Sequence, residues 1–139
     1  MVVSSEIDRE TTRAGLRLEL FVGDVARSAA FYVEVLGFAV ERQSGAGYVS
    51  VTRGGATLGV NAASALSADH PARVIAGERA GRGVEIVVVV DDIEQACVQA
   101  VASGWVIAEP LALRPWGLKD FRVIDPDGFY VRMTGASGA

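Results

Sequence analysis

Val84-Glu85-Ile86-Val87-Val88-Val89-Val90-Asp91 reads as a buried β-strand with one residue that does not fit. Its six β-branched apolar side chains suit a pleated, packed surface. Glu85 stands near the start, where a carboxylate must be paired, hydrated or put to use. Leu16-Arg17-Leu18-Glu19-Leu20-Phe21-Val22-Gly23-Asp24 has the same layout, with Arg17 where Glu85 stands. Each strand runs into an Asp followed by a helical pattern. Glu85 lies as far beyond Arg17 as Asp92 lies beyond Asp24, and such an internal repeat is the mark of two fused copies of one supersecondary unit.

Working outward, Asp24 and Asp92 are N-caps for helices expected over residues 25–36 and 93–103, each stopped by a glycine, Gly37 and Gly104. Short strands are expected over residues 38–43, 47–52 and 56–61, separated by turns at Gly45 to Gly47 and at Gly54-Gly55. The first half is therefore β-α-β-β-β. In the second half Trp105 takes the place of Phe38, and strands over 118–124 and 129–134 meet through Asp125-Pro126-Asp127-Gly128, whose Pro and Gly positions suit a tight turn. The predicted fold class is α+β: an arm over residues 1–13, a first module over 14–61, a connector over 62–82, a second module over 83–134 and a tail over 135–139. The connector contains His70-Pro71, with one helical turn expected after Pro71.

Strand parity then selects the interior. Leu16, Leu18, Leu20 and Val22 share one face of the first strand, leaving Arg17, Glu19 and Phe21 on the other. Leu58 and Val60 oppose Thr57, Gly59 and Asn61; Phe129, Val131 and Met133 oppose Tyr130, Arg132 and Thr134. Each strand thus offers an apolar face to a helix and a polar or mixed face to something else. Sheets curved with that second face inward would gather Arg17, Glu19, Phe21, Asn61, Glu85, Tyr130 and Arg132 around a cavity. An ordinary solvated face accounts for Glu19 and Thr57, but less well for Glu85, which shares its face with Val87 and Val89.

Composition excludes several function classes. The chain has 139 residues, of which 50% are hydrophobic, and a mean hydropathy of +0.31, so it can bury a sizeable core. A net charge of −4 with no basic cluster excludes nucleic acid as the expected partner. No apolar run approaches the ~20 residues that span a bilayer, and the start lacks a basic-then-apolar leader pattern. A cytoplasmic protein without membrane contact is expected. The single cysteine, Cys97, falls in a helical pattern and reads as an apolar core thiol.

Val22-Gly23-Asp24, Phe31-Tyr32-Val33-Glu34-Val35-Leu36-Gly37-Phe38, Pro115-Trp116-Gly117 and Asp125-Pro126-Asp127-Gly128 resemble, in that order, the vicinal oxygen chelate superfamily. That superfamily includes glyoxalases, extradiol dioxygenases, fosfomycin-resistance enzymes and bleomycin-resistance proteins. The resemblance implies two tandem βαβββ modules, commonly in a homodimer, whose curved sheets enclose a small-molecule cavity. Its enzymes hold a divalent metal with His or Glu at four positions, which here read Arg17, Gly59, Glu85 and Arg132. Arginine is a permanent cation and glycine has no side chain, so no metal and no cofactor are expected. A substitute site from Glu19, Asn61, Glu85 and His70 is the weaker possibility, because a lone loop histidine is usually only solvated. Parity and the resemblance together bring Arg17, Glu85 and Arg132 to one place, with Glu85 bridging one or both arginines.

The leading functional expectation is a binding protein of the bleomycin-resistance type, sequestering an aromatic or amphipathic ligand and so conferring antibiotic resistance without chemistry. Trp116 on its Pro-Gly loop offers a large ring and one N–H donor, whereas Trp105 reads as packing. A mixed interior suits an acidic, zwitterionic or neutral aromatic better than a cationic drug. The competing expectation is an enzyme of glyoxalase, isomerase or dioxygenase type with Glu85 as base, although a neighbouring arginine would weaken that base. A third is a dimer whose cavity is plugged by its own salt bridges.

Overall fold

The computed structural model describes residues 13–136. The expected arm over 1–13 and tail over 135–139 lie largely outside them. Strand β1 (Leu18–Val22), helix α1 (Val25–Glu34) and strands β2 (Ala39–Ser44), β3 (Tyr48–Arg53) and β4 (Ala56–Ala62) form the first module. Strand β5 (Glu85–Val90), helix α2 (Ile93–Ala102) and strands β6 (Glu109–Leu113), β7 (Lys119–Ile124) and β8 (Tyr130–Gly135) form the second. The chain is α+β, two tandem βαβββ modules. The sheets run β1-β4-β3-β2 and β5-β8-β7-β6, the first pair of each parallel and the rest antiparallel. Leu18 faces Leu58 and Glu85 faces Tyr130, so Arg17 corresponds to Glu85 and Gly59 to Arg132.

The local signals act as the sequence implies. The Asp24 side chain accepts the Arg27 N–H at 3.0 Å, and Asp92 accepts that of Gln95 at 3.0 Å. Gly37 and Gly104 take φ of +76° and +82°, conformations costly for any residue with a Cβ. The helices end at Glu34 and Ala102, one or two residues earlier than expected, and the chain leaves each through its left-handed glycine. Strand β6 was not legible: it contains Pro110 and no strict alternation, which an edge strand tolerates. No helical turn follows Pro71; a short 3-10 turn lies at Ala63–Ala65 instead.

Apolar faces from both sheets close on the helices in one shared core. Leu20, Val22, Val51, Leu58 and Val60 meet Phe31 and Tyr32 of α1, while Ile86, Val88, Val90, Phe121, Val131 and Met133 pack with Ile93, Ala96 and Ala100 of α2. Phe31 packs edge-on to Trp105 at 5.0 Å, across the boundary between modules. The two most specific sequence motifs are bonded to each other there. The Tyr32 hydroxyl donates to Asp125 Oδ2 at 2.8 Å, while Asp125 Oδ1 accepts the N–H groups of Asp127, Gly128 and Phe129 at 2.8–2.9 Å. Asp127 in turn accepts the Gly23 N–H at 2.8 Å. Burial, then the adjacent Asp125, pushes the Tyr32 hydroxyl well above its ordinary value. Burial also raises the Asp125 carboxyl, against the pull of Tyr32 and the backbone donors. The connector is pinned to the same turn, where Ala80 N–H meets Asp127 O at 3.2 Å and Arg79 Nε meets Gly128 O at 2.8 Å. No helix among the described residues is long and apolar enough to cross a membrane.

Candidate functional site

The polar faces of the two sheets carry separate clusters. On the first sheet Arg17 Nε meets Glu19 Oε2 at 2.9 Å, two residues along the same strand face, and Asn61 Nδ2 donates to Glu19 Oε1 at 3.0 Å. Glu19 lies across Gly59, its register partner, so closely that a Cβ at Gly59 would collide with the carboxylate. The missing side chain therefore admits Glu19, which fills the space itself. The Arg17–Glu19 pair is open to water and contributes little to stability. Phe21 lies beneath the connector, its ring 6.3 Å from His70. His70 Nδ1 accepts the Ala72 N–H at 3.0 Å, within its own turn.

The second sheet holds the denser cluster. Arg122 and Arg132 stand directly opposite each other on β7 and β8, a pairing of like charges that is unfavourable without counter-ions. Glu85 supplies one, 3.5 Å from Arg122 Nε and 3.3 Å from an Arg132 terminal nitrogen. Asp120 supplies the other. Its side chain is fully buried, and Oδ1 accepts Arg114 Nε at 2.8 Å. Asp120 Oδ2 lies 3.7 Å from Arg122 and 4.0 Å from Arg132. Desolvation works against the Arg122 charge, but the Tyr130 hydroxyl, Asp120 and Glu85 outweigh it and raise its pKa. The Trp116 ring lies 5.8 Å from the Arg132 guanidinium and is 54% exposed.

This arrangement corrects one expectation. Arg17 does not reach Glu85; it pairs with Glu19 on the other sheet, and Arg122 takes the place assigned to it. Every ion pair among the described side chains stays within one module, so the eight predicted site residues fall into two groups. Glu85, Tyr130, Arg132 and Trp116 come together; Arg17, Glu19 and Asn61 form the other group, with Phe21 beside it. Sequence reasoning missed Arg114, Asp120 and Arg122. The signal for two of them was available, since alternation along residues 119–124 puts Asp120 and Arg122 on the face opposite Phe121 and Val123. Trp105 packs as expected, its Nε1 donating to Ile124 O at 2.9 Å.

A cavity of about 540 Å³ opens elsewhere, between the unpaired edges of β1 and β5, lined by Leu16, Leu18, the 53–58 hairpin and residues 86–91. Of the predicted site residues, none lines it.

Residues 16–133 match the family model of the Glyoxalase/Bleomycin resistance protein/Dioxygenase superfamily. The chain belongs to that superfamily. Among solved structures it is similar to TioX from Micromonospora sp. ML1, with 24% identity over 91% of this chain and 98% of that one, TM-score 0.67. It is similar also to a glyoxalase/bleomycin resistance protein/dioxygenase from Nocardioides (20% identity, 100% and 96% covered, TM-score 0.69). A third is a lactoylglutathione lyase from Agrobacterium tumefaciens (20%, 93% and 99% covered, TM-score 0.67). At these identities the likeness shows a shared fold. No curated protein matches the chain significantly. The metal that superfamily enzymes hold does not fit the residues present. Glu85 alone of the four positions has a ligating side chain, and two guanidinium groups flank it. Among the described residues no three His, Cys, Asp or Glu side chains converge on a point that could hold an ion.

Proposed function

We propose that this protein binds a small aromatic or amphipathic molecule, without a metal ion and without turning it over, and acts by sequestration. One observation carries the reading: at the position where superfamily enzymes hold a cation, the protein's own guanidinium groups, Arg122 and Arg132, flank Glu85. A divalent ion beside two arginines would face repulsion that a single carboxylate does not offset. The same contacts argue against Glu85 as a general base, since an arginine charge within 3.5 Å of each of its oxygens favours the carboxylate and weakens it as a base.

The proposed assembly is a homodimer. Strands β1 and β5 each pair on one side only, and β5 exposes Val87 and Val89 at 42% and 63% beside the charged cluster. A second copy covering these edges would remove the unpaired strand groups from water and face one chain's first sheet with the partner's second. Resistance to an aromatic antibiotic is the physiological role that sequestration suits.

The test combines elemental analysis with turnover assays on the purified protein. Less than a tenth of an equivalent of Zn, Ni, Mn or Fe per chain is expected, with no turnover of a glutathione hemithioacetal or a catechol. One ion per chain, or turnover abolished by Glu85→Gln, would replace this reading with the enzymatic one.

A further inference from the structure

We infer that the ligand is an aromatic monoanion, held through its carboxylate by Arg122 and Arg132 with its ring against Trp116. The inference rests on the small-molecule-binding reading above and narrows it. Three cations, Arg114, Arg122 and Arg132, meet two carboxylates, Glu85 and Asp120, so the cluster carries a surplus of one positive charge. Its internal pairing is also incomplete. Charge-assisted N–H···O bonds run about 2.7–2.9 Å, and only Arg114–Asp120 at 2.8 Å meets that. The four contacts made by Arg122 and Arg132 span 3.3–4.0 Å. Both Nε atoms, together with Asp120 Oδ2, are buried without a hydrogen-bond partner. Buried donors left unpaired are unfavourable, and two opposed guanidinium forks match a carboxylate in geometry as well as charge.

The surroundings describe the rest of the ligand. Trp116 presents an exposed indole over Arg132. Guanidinium groups beside an exposed indole fit an aromatic body with one acidic group. Glu85 and Asp120 stand within 4.0 Å of the same arginines and would repel a second negative charge, so a phosphate dianion is disfavoured.

The probes are 2-naphthoate and 2-naphthamide, which share a ring and differ in charge, with inorganic phosphate as competitor, measured by calorimetry on the full chain. Naphthoate should bind at least tenfold more tightly than the amide, and equimolar phosphate should not displace it. Arg132→Met and Arg122→Met should each weaken naphthoate tenfold or more and leave the amide within twofold. If either variant folds poorly, wild-type salt dependence substitutes: naphthoate affinity should fall between 0.05 and 0.5 M NaCl (roughly the range over which screening of charges becomes strong), with the amide unchanged. Equal binding of both probes, or equal loss in the variants, overturns the anion site and leaves the general binding reading standing. Displacement by phosphate overturns the monoanion assignment. Failure of both probes to bind at millimolar concentration overturns both readings.

Discussion

Asp120→Asn is the most informative single change, because it should lower stability and raise anion affinity together. The carboxylate is fully buried, while its arginine partners retain 19–23% side-chain exposure. Asparagine keeps an acceptor for Arg114, so that bond weakens from charged to neutral, a loss of about 1 kcal/mol. Arg122 and Arg132 then share Glu85 alone while still facing each other across β7 and β8. Partial exposure lets water recover some of that penalty, which leaves about 2 kcal/mol more. The sum, about 3 kcal/mol, lies at the low end of what breaking a buried ion pair costs. In urea, with a slope of about 2 kcal/mol per molar, the unfolding midpoint should fall by about 1.5 M. Protein concentration must be held fixed so that assembly does not contribute. The loss should shrink in about 1 M salt, where the screening length falls to about 3 Å. Naphthoate should bind more tightly than to wild type, since the surplus charge rises from one to two. A loss under about 1 kcal/mol that salt does not alter, with unchanged naphthoate affinity, would show that each arginine is separately hydrated and that no cluster exists.

Tyr32→Phe should cost about 2 kcal/mol at pH 8, since it strips a buried, charged carboxylate of its only side-chain donor. The Asp125 carboxyl is already raised when folded, so its contribution to stability is full below its ordinary value near 3.8 and is lost as pH rises through the folded value. Removing the Tyr32 bond raises it further, and the deficit measured by urea unfolding should therefore be smaller at pH 5 than at pH 8; a flat or inverted profile contradicts the assignment. Fluorescence separates the two indoles: Trp116→Phe should abolish most iodide quenching and most of the naphthoate-induced change, whereas Trp105→Phe should leave both and lower stability through its lost bond to Ile124 O. If the signal survives Trp116→Phe, the ring lies away from the ligand. Light scattering should give a dimer at micromolar concentration and a monomer for Val89→Glu, which puts a charge on the exposed β5 edge; a monomeric wild type would refute the proposed assembly.

Period and parity alone determined the larger part of this protein. The repeat of strand, Asp cap, helix and glycine stop requires only nearest-neighbour chemistry, because a cap reaches three residues and a strand face alternates every second one. That is why the repeated strand–helix units and their apolar faces were legible from residue order, whereas the edge strand β6 and the exposure of Trp116 were not. It is also why the Arg17–Glu19 pair could have been foreseen: both lie on one strand face, two residues apart. Tertiary structure decided which distant partner each charged group takes. Whether Glu85 met Arg17 or Arg122 depended on which strands shared a sheet with β5, and whether Asp125 would find Tyr32 depended on how α1 packed against the turn between β7 and β8. Ion pairs and hydrogen bonds form or fail within about an ångström, a precision set by packing across modules and carried by no local pattern.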